Sequence, residues 1–117
     1  MPYSSYAKNS MLDHLGTEAV FVSLHITDPG DSGTGEVTGG SPAYARKAMT
    51  WGAAAAGAMA HASAPVFDVP SGTHVNWVGM WSAVSGGVFY GSDDVTEEIF
   101  AAQGTYTLTG IDLDLNT

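Results

Sequence analysis

The stretch from Val20 to Trp51, VFVSLHITDPGDSGTGEVTGGSPAYARKAMTW, restricts the fold more than any other part of the chain. It opens as a strand. Val20, Val22, Leu24 and Ile26 fall on one side of an extended backbone and Phe21, Ser23, His25 and Thr27 on the other, because successive strand side chains point to opposite faces. His25, on the face away from the aliphatic residues, is expected to meet solvent or a partner subunit. Pro29-Gly30 closes the strand, and a Gly/Asp/Ser/Thr-rich excursion without periodicity follows. Tyr44 to Trp51 then resumes an extended, aromatic-bounded run. Arg46 and Lys47 are adjacent in it and must face opposite sides, one toward solvent and the other at an edge or snorkelling. Two strands are thus joined by a long polar loop.

The other segments punctuate in the same way. Ser5 to Leu15 reads as a short helix with Ser5 as N-cap, Met11, Leu12 and Leu15 as its apolar stripe and Gly16 as its stop. It serves as a lid on its own sheet or as an arm to a neighbour. Gly52 to Ala62, GAAAAGAMAHA, has alanines that favour helix, yet Gly52 and Gly57 interrupt it and no amphipathic stripe forms. A loop or irregular strand is expected there. Ala64 to Val69 and His74 to Trp81 read as strands, and in the second Val75, Trp77, Gly79 and Trp81 alternate against Asn76, Val78 and Met80. Ser85-Gly86-Gly87 turns that strand back into Val88-Phe89-Tyr90 as a hairpin. Asp93 to Phe100 suits a strand edge or a helical turn. Thr105 to Thr109 leads into a last strand, in which Ile111, Leu113 and Leu115 alternate with Asp112 and Asp114. Short strands with turns at this spacing predict an all-β, single-domain β-sandwich or jelly-roll-like fold over residues 17–117, preceded by an N-terminal helix or arm over residues 1–16. Trp51, Phe67, Trp77, Trp81, Phe89 and Tyr106 are its expected aromatic core, with partners for any buried indole N–H.

Composition removes several function classes. A net charge of −9 with only Lys8, Arg46 and Lys47 as fixed cations leaves no cluster to neutralise phosphates, so neither nucleic acid nor an anionic membrane is an expected partner. An acidic body suits solubility or docking on a basic patch of a larger protein. Only 13% of residues are charged, so part of the surface is expected to be covered by other subunits. The absence of cysteine excludes disulfides, thiolate nucleophiles and Cys-based zinc sites. The N-terminus has no apolar core of signal-peptide length, and the expectation is synthesis in a host cytoplasm.

The chemistry-bearing residues do not converge. His14, His25, His61 and His74 show no metal-ligand spacing. Asp28-Pro29-Gly30-Asp31-Ser32-Gly33 fails the spacing of a calcium loop and reads instead as a turn in which Asp side chains cap backbone N–H groups. Gly33-Thr34-Gly35 and Gly39-Gly40 lack the Gly-Lys-Ser/Thr feeding a helix that a phosphate loop requires. Ser, His and Asp occur without a G-x-S-x-G elbow. Asp93, Asp94, Glu97 and Glu98 form one acidic stretch, read as a solvated edge rather than a carboxylate pair for glycoside hydrolysis. No enzymatic activity and no cofactor are expected.

Two blocks carry a resemblance. Val22-Ser23-Leu24-His25 through Thr27-Asp28-Pro29-Gly30, then Gly35-Glu36-Val37-Thr38-Gly39-Gly40-Ser41 and Tyr44-Ala45-Arg46, resemble the SLHTADPG…GANEVTGGSYAR pattern of small proteins of tailed bacteriophages and prophages, especially of actinobacteria, described as tail fibre or minor tail proteins. Phe67 to Thr73, Gly79 to Ala83, Gly86 to Gly91 and Gly104 to Tyr106 fit as well. Ile26 and the inserted Pro42-Ala43 depart from the pattern. The resemblance implies a virion structural protein, tail-associated in the first instance and a capsid decoration protein in the alternative, partnered by tail or major capsid protein and by copies of itself. It carries over no catalytic residue. A receptor- or glycan-binding module, with Tyr90, Asp93 and Asp94 beside the hairpin, is the other alternative. Tyr3, Tyr6, Met11, Leu12, His25, Arg46, Lys47 and Tyr90 are the candidate interface residues.

Overall fold

The computed structural model describes residues 3–109 and 112–114. Helix α1 (Ser5–Glu18) is followed by β1 (Phe21–His25), β2 (Lys47–Ala48), β3 (Ala58–Ala60), β4 (Val66–Val69), β5 (Thr73–Trp81), β6 (Phe89–Phe100), β7 (Gly104–Thr107) and β8 (Asp112–Asp114). The all-β architecture with one N-terminal helix is the one the strand spacing predicts.

The helix is longer than its sequence signals suggest. Ser4, not Ser5, is the N-cap, its hydroxyl accepting from the Ala7 N–H at 3.1 Å. Gly16 does not stop the helix, because its glycine serves a contact instead: a Cβ there would lie 3.3 Å from the Met59 side chain and 3.5 Å from Trp51. Leu12 is the helix's buried residue. One turn apart, Asn9 and Asp13 accept from the backbone N–H groups of Gly57 and Ala54, each at 2.9 Å. The helix thus supplies acceptors to an alanine-rich segment that has few side-chain groups of its own. That segment is irregular, as expected, apart from β3, which pairs with β8. Of the predicted last strand, residues 112–114 are strand, while Ile111 and Leu115 lie outside the described residues.

The main sheet is antiparallel with order β2-β1-β5-β6, and β4 and β7 form a separate two-stranded ribbon. Ser85-Gly86-Gly87 does close a β5–β6 hairpin, and Asp93 to Phe100 takes the strand option, as the second part of a 12-residue edge strand. The Tyr44 to Trp51 run contributes only two residues of strand; the rest of it is held by backbone bonds of Tyr44 to Gly39, Met49 to Val20 and Thr50 to Ala62, and by side chains.

Val22 and Leu24 of β1 and Val75, Val78 and Met80 of β5 form one core cluster with Phe67 and Val69 of β4, Tyr106 of β7, and Leu108. The sheet and the ribbon therefore pack as two layers, and burying these side chains is the main stabilising term. Simple alternation fails once within β5. Val75 and Val78 both enter the core at a spacing of three, because the register shifts between Val75 and Trp77 where β6 bulges. Trp77, grouped by sequence with Val75, is left half-buried. No helix among the described residues is long and apolar enough to cross a membrane.

Candidate functional site

The polar chemistry of the molecule gathers on the second face of the sheet, beneath the loop of residues 26–46. Register places Ser23 opposite Gly79, and His25 opposite Trp77. The loop turns at Asp28, whose carboxylate accepts from the Gly30 N–H at 2.9 Å, buries Pro29, and returns so that Glu36 bridges to His25. Ile26 N–H donates to the Gly35 carbonyl and Val37 N–H to the Leu24 carbonyl, both at 3.0 Å. His25 is 0% exposed, so the expectation that it faces solvent or a partner is corrected. Alternation assigned it to the right face; the loop covers that face.

Under the loop the donors form a chain. The Trp81 indole N–H donates to Ser23 Oγ at 2.8 Å, Ser23 Oγ lies 2.6 Å from His25 Nε2, and His25 Nδ1 lies 2.8 Å from the Thr34 carbonyl. A carbonyl accepts only, so Nδ1 carries the imidazole proton and Nε2 accepts from the Ser23 hydroxyl. Burial pushes the His25 pKa below its ordinary 6.5; the Thr34 hydrogen bond and the Glu36 charge oppose this, and the Arg46 charge adds to it.

Arg46 covers the other side of Trp81. Its guanidinium carbon stands 3.6 Å from the ring centroid, and Phe89 packs against the same ring at 5.0 Å. Arg46 meets Glu36 through two hydrogen bonds, Nε to Oε2 at 3.0 Å and Nη2 to Oε1 at 2.9 Å, and donates to the carbonyls of Ala83 and Gly86 at the hairpin tip. Tyr44 completes the set, its hydroxyl donating to Glu36 and accepting from the Leu24 N–H, each at 2.9 Å. Burial raises the Tyr44 pKa far above the phenolic range. Of the two mid-run cations, Arg46 is buried in its own chain, neither solvated nor at an edge, and Lys47 is half-exposed.

A serine hydroxyl 2.6 Å from an imidazole has the composition of a nucleophile and its base. The surroundings give it another role. Both residues are 0% exposed, the serine oxygen is engaged by Trp81, and the second imidazole nitrogen is oriented by a carbonyl, not a carboxylate. This arrangement fastens a loop to a sheet. Sequence reasoning singled out His25 and Arg46 but missed Ser23, Glu36, Tyr44 and Trp81 as their partners. The signal for Ser23 was its alternation with His25, which put both on one face; Glu36, Tyr44 and Trp81 reach the cluster through tertiary contacts.

The remaining candidates lie elsewhere. On α1, Tyr6 is 85% exposed, Tyr3 just before the helix 54% and Met11 40%, whereas Leu12 is buried against its own chain. Tyr90 is half-buried against the core cluster. Beyond the β6 edge a groove of about 650 Å³ runs between β6 and β7, lined by Asp94, Glu97, Glu98 and Tyr106 among others. Among the described residues no three His, Asp or Glu side chains stand close enough to hold a metal ion.

A family model described as podophage GP4 fiber I protein gp80 matches residues 2–111. The chain belongs to this fibre family. The fiber I match takes in α1, the loop, both layers of the core and the whole cluster around Trp81. It bears out the phage-fibre part of the resemblance seen in the sequence, at the level of the family. Membership in a family of phage fibre proteins agrees with a structural component of the virion that interacts with other virion proteins. No curated protein and no solved structure matches the chain.

Proposed function

We propose that the chain is a structural component of a phage tail fibre, acting by assembly with other virion proteins and with copies of itself. The family match over residues 2–111 carries this reading. Two features of the molecule support it. The body is elongated, 46 × 23 × 21 Å, as a segment of a fibre would be. Tyr6 and Met11 of the N-terminal helix and Tyr3 just before it are each exposed, and aromatic and Met side chains are the residue types enriched at interface centres. The polar cluster around Trp81 then has a mechanical role, holding the loop of residues 26–46 rigid so that the surface offered to neighbours has one shape.

Native mass spectrometry of the purified protein tests the self-assembly. A discrete oligomer is expected, and Tyr6→Ala should raise its dissociation constant by roughly thirtyfold, the loss of about 2 kcal/mol at an anchor residue. A wild-type protein that stays monomeric at high concentration would remove self-assembly from the proposal.

A further inference from the structure

We infer that the loop of residues 26–46 is latched to the sheet by a one-way hydrogen-bond chain through His25 that only a neutral imidazole completes, so that mild acid opens the loop while the sheet stays folded. The direction of the chain is fixed at both ends. The Trp81 N–H can only donate and the Thr34 carbonyl can only accept, so the Ser23 hydroxyl must give its proton to His25 Nε2 and His25 must give its Nδ1 proton to the loop. A proton added at Nε2 would point at the Ser23 hydroxyl proton. Ser23 would have to turn its O–H away into a site where it is 0% exposed, and a buried donor without an acceptor is unfavourable.

The surroundings leave no room to adapt. A Cβ on Gly79 would lie 2.6 Å from Ser23 Oγ and 2.8 Å from His25 Nε2, so β5 backs directly onto the pair. From β5, Trp77, Gly79 and Trp81 bring no charge to His25, and neither does Phe89 of β6. The charged groups that act on it, Glu36 and Arg46, both come from the loop, with the Tyr44 hydroxyl held against Glu36. The Glu36 carboxylate is already engaged by Arg46 and Tyr44, so it is poorly placed to compensate a second buried cation. The cheapest relief is to break the bond to Thr34 and lift the returning leg of the loop, which carries the Ile26–Gly35 and Val37–Leu24 backbone pairs. Opening would uncover Trp81 and Arg46.

The sign follows from linkage. His25 in the closed loop binds a proton less readily than in the open loop, where its pKa returns toward 6.5. The open fraction therefore rises as pH falls below that value, by up to about tenfold per pH unit, until the closed-state imidazole also titrates.

Amide hydrogen exchange followed by NMR from neutral to mildly acid pH, corrected for intrinsic exchange, tests the inference. Protection at Ile26 and Val37 should fall by about tenfold per pH unit while β1–β5 ladder amides keep theirs. In His25→Asn, whose side-chain amide reaches the Thr34 carbonyl but does not titrate, that pH dependence should flatten; in Glu36→Gln it should persist. Dependence that survives in His25→Asn and disappears in Glu36→Gln would overturn the inference. Should His25→Asn not fold, the wild-type imidazole resonances decide: protonation of His25 in step with loop opening supports the latch, and opening with His25 still neutral refutes it.

Discussion

Gly79 and Gly33 are where single atoms decide the architecture. Gly79 is in ordinary strand conformation and is glycine for space: its missing Cβ is the room that Ser23 and His25 occupy. Gly33 adds a positive φ of 76°, and a Cβ there would strike the Trp81 ring. Gly79→Ala should therefore cost about 1–3 kcal/mol through overpacking. Gly30→Ala, at an open site with a φ of 62°, should cost only the backbone penalty of about 1–2 kcal/mol. No loss of stability in Gly79→Ala by chemical denaturation would contradict the close packing at Gly79. Trp81→Ala removes a ring 8% exposed, its hydrogen bond to Ser23 and the surface under Arg46, and should lower stability by about 3–5 kcal/mol. An unchanged denaturation midpoint would make Trp81 a surface residue. The lowered pKa of His25 also sets a sign for the whole fold: its contribution to stability is complete above 6.5 and declines as pH falls below it.

At the scale of elements, the loop of residues 26–46 behaves as part of the core because Arg46, Glu36 and Tyr44 tie it down at several points. Arg46→Met should cost about 2–4 kcal/mol, less than for a fully buried pair because the Glu36 side chain is 22% exposed. Lys47→Met, next to it, should change stability by no more than about 0.5 kcal/mol. Thermal melts of the two variants separate the roles of the adjacent cations. What the sequence made legible was local. Aliphatic alternation located β1, the strand-like run Ala64 to Val69 located β4, Ser85-Gly86-Gly87 located the hairpin, and the broken alanine run between β2 and β4 read as irregular. Coverage was not legible. Alternation assigns a residue to a face without saying whether anything lies over it, so His25 read as solvated although the loop buries it. Gly16 read as a helix stop for a similar reason: its contact with Met59 is tertiary, and no neighbour in sequence announces it. The bulge in β6 hid the phase change between Val75 and Val78 in the same way.

At the scale of the whole molecule, charge and shape govern what the protein meets. Arg46 is committed to Glu36, so against a net charge of −9 the fixed cations outside that pair are Lys8 and Lys47. Contacts with a partner should therefore be strongest where the partner is basic, and raising the salt concentration should slow that association more than it weakens self-assembly through Tyr3, Tyr6 and Met11. The chain's membership in a fibre family makes its position in the particle the decisive fact. A cryo-electron map of the parent virion, searched with this 46 Å body, tests that position directly. Density for repeated copies along a tail fibre, with the N-terminal helix against a neighbouring chain, is the predicted result; density on the head shell, or none in the particle, would contradict it.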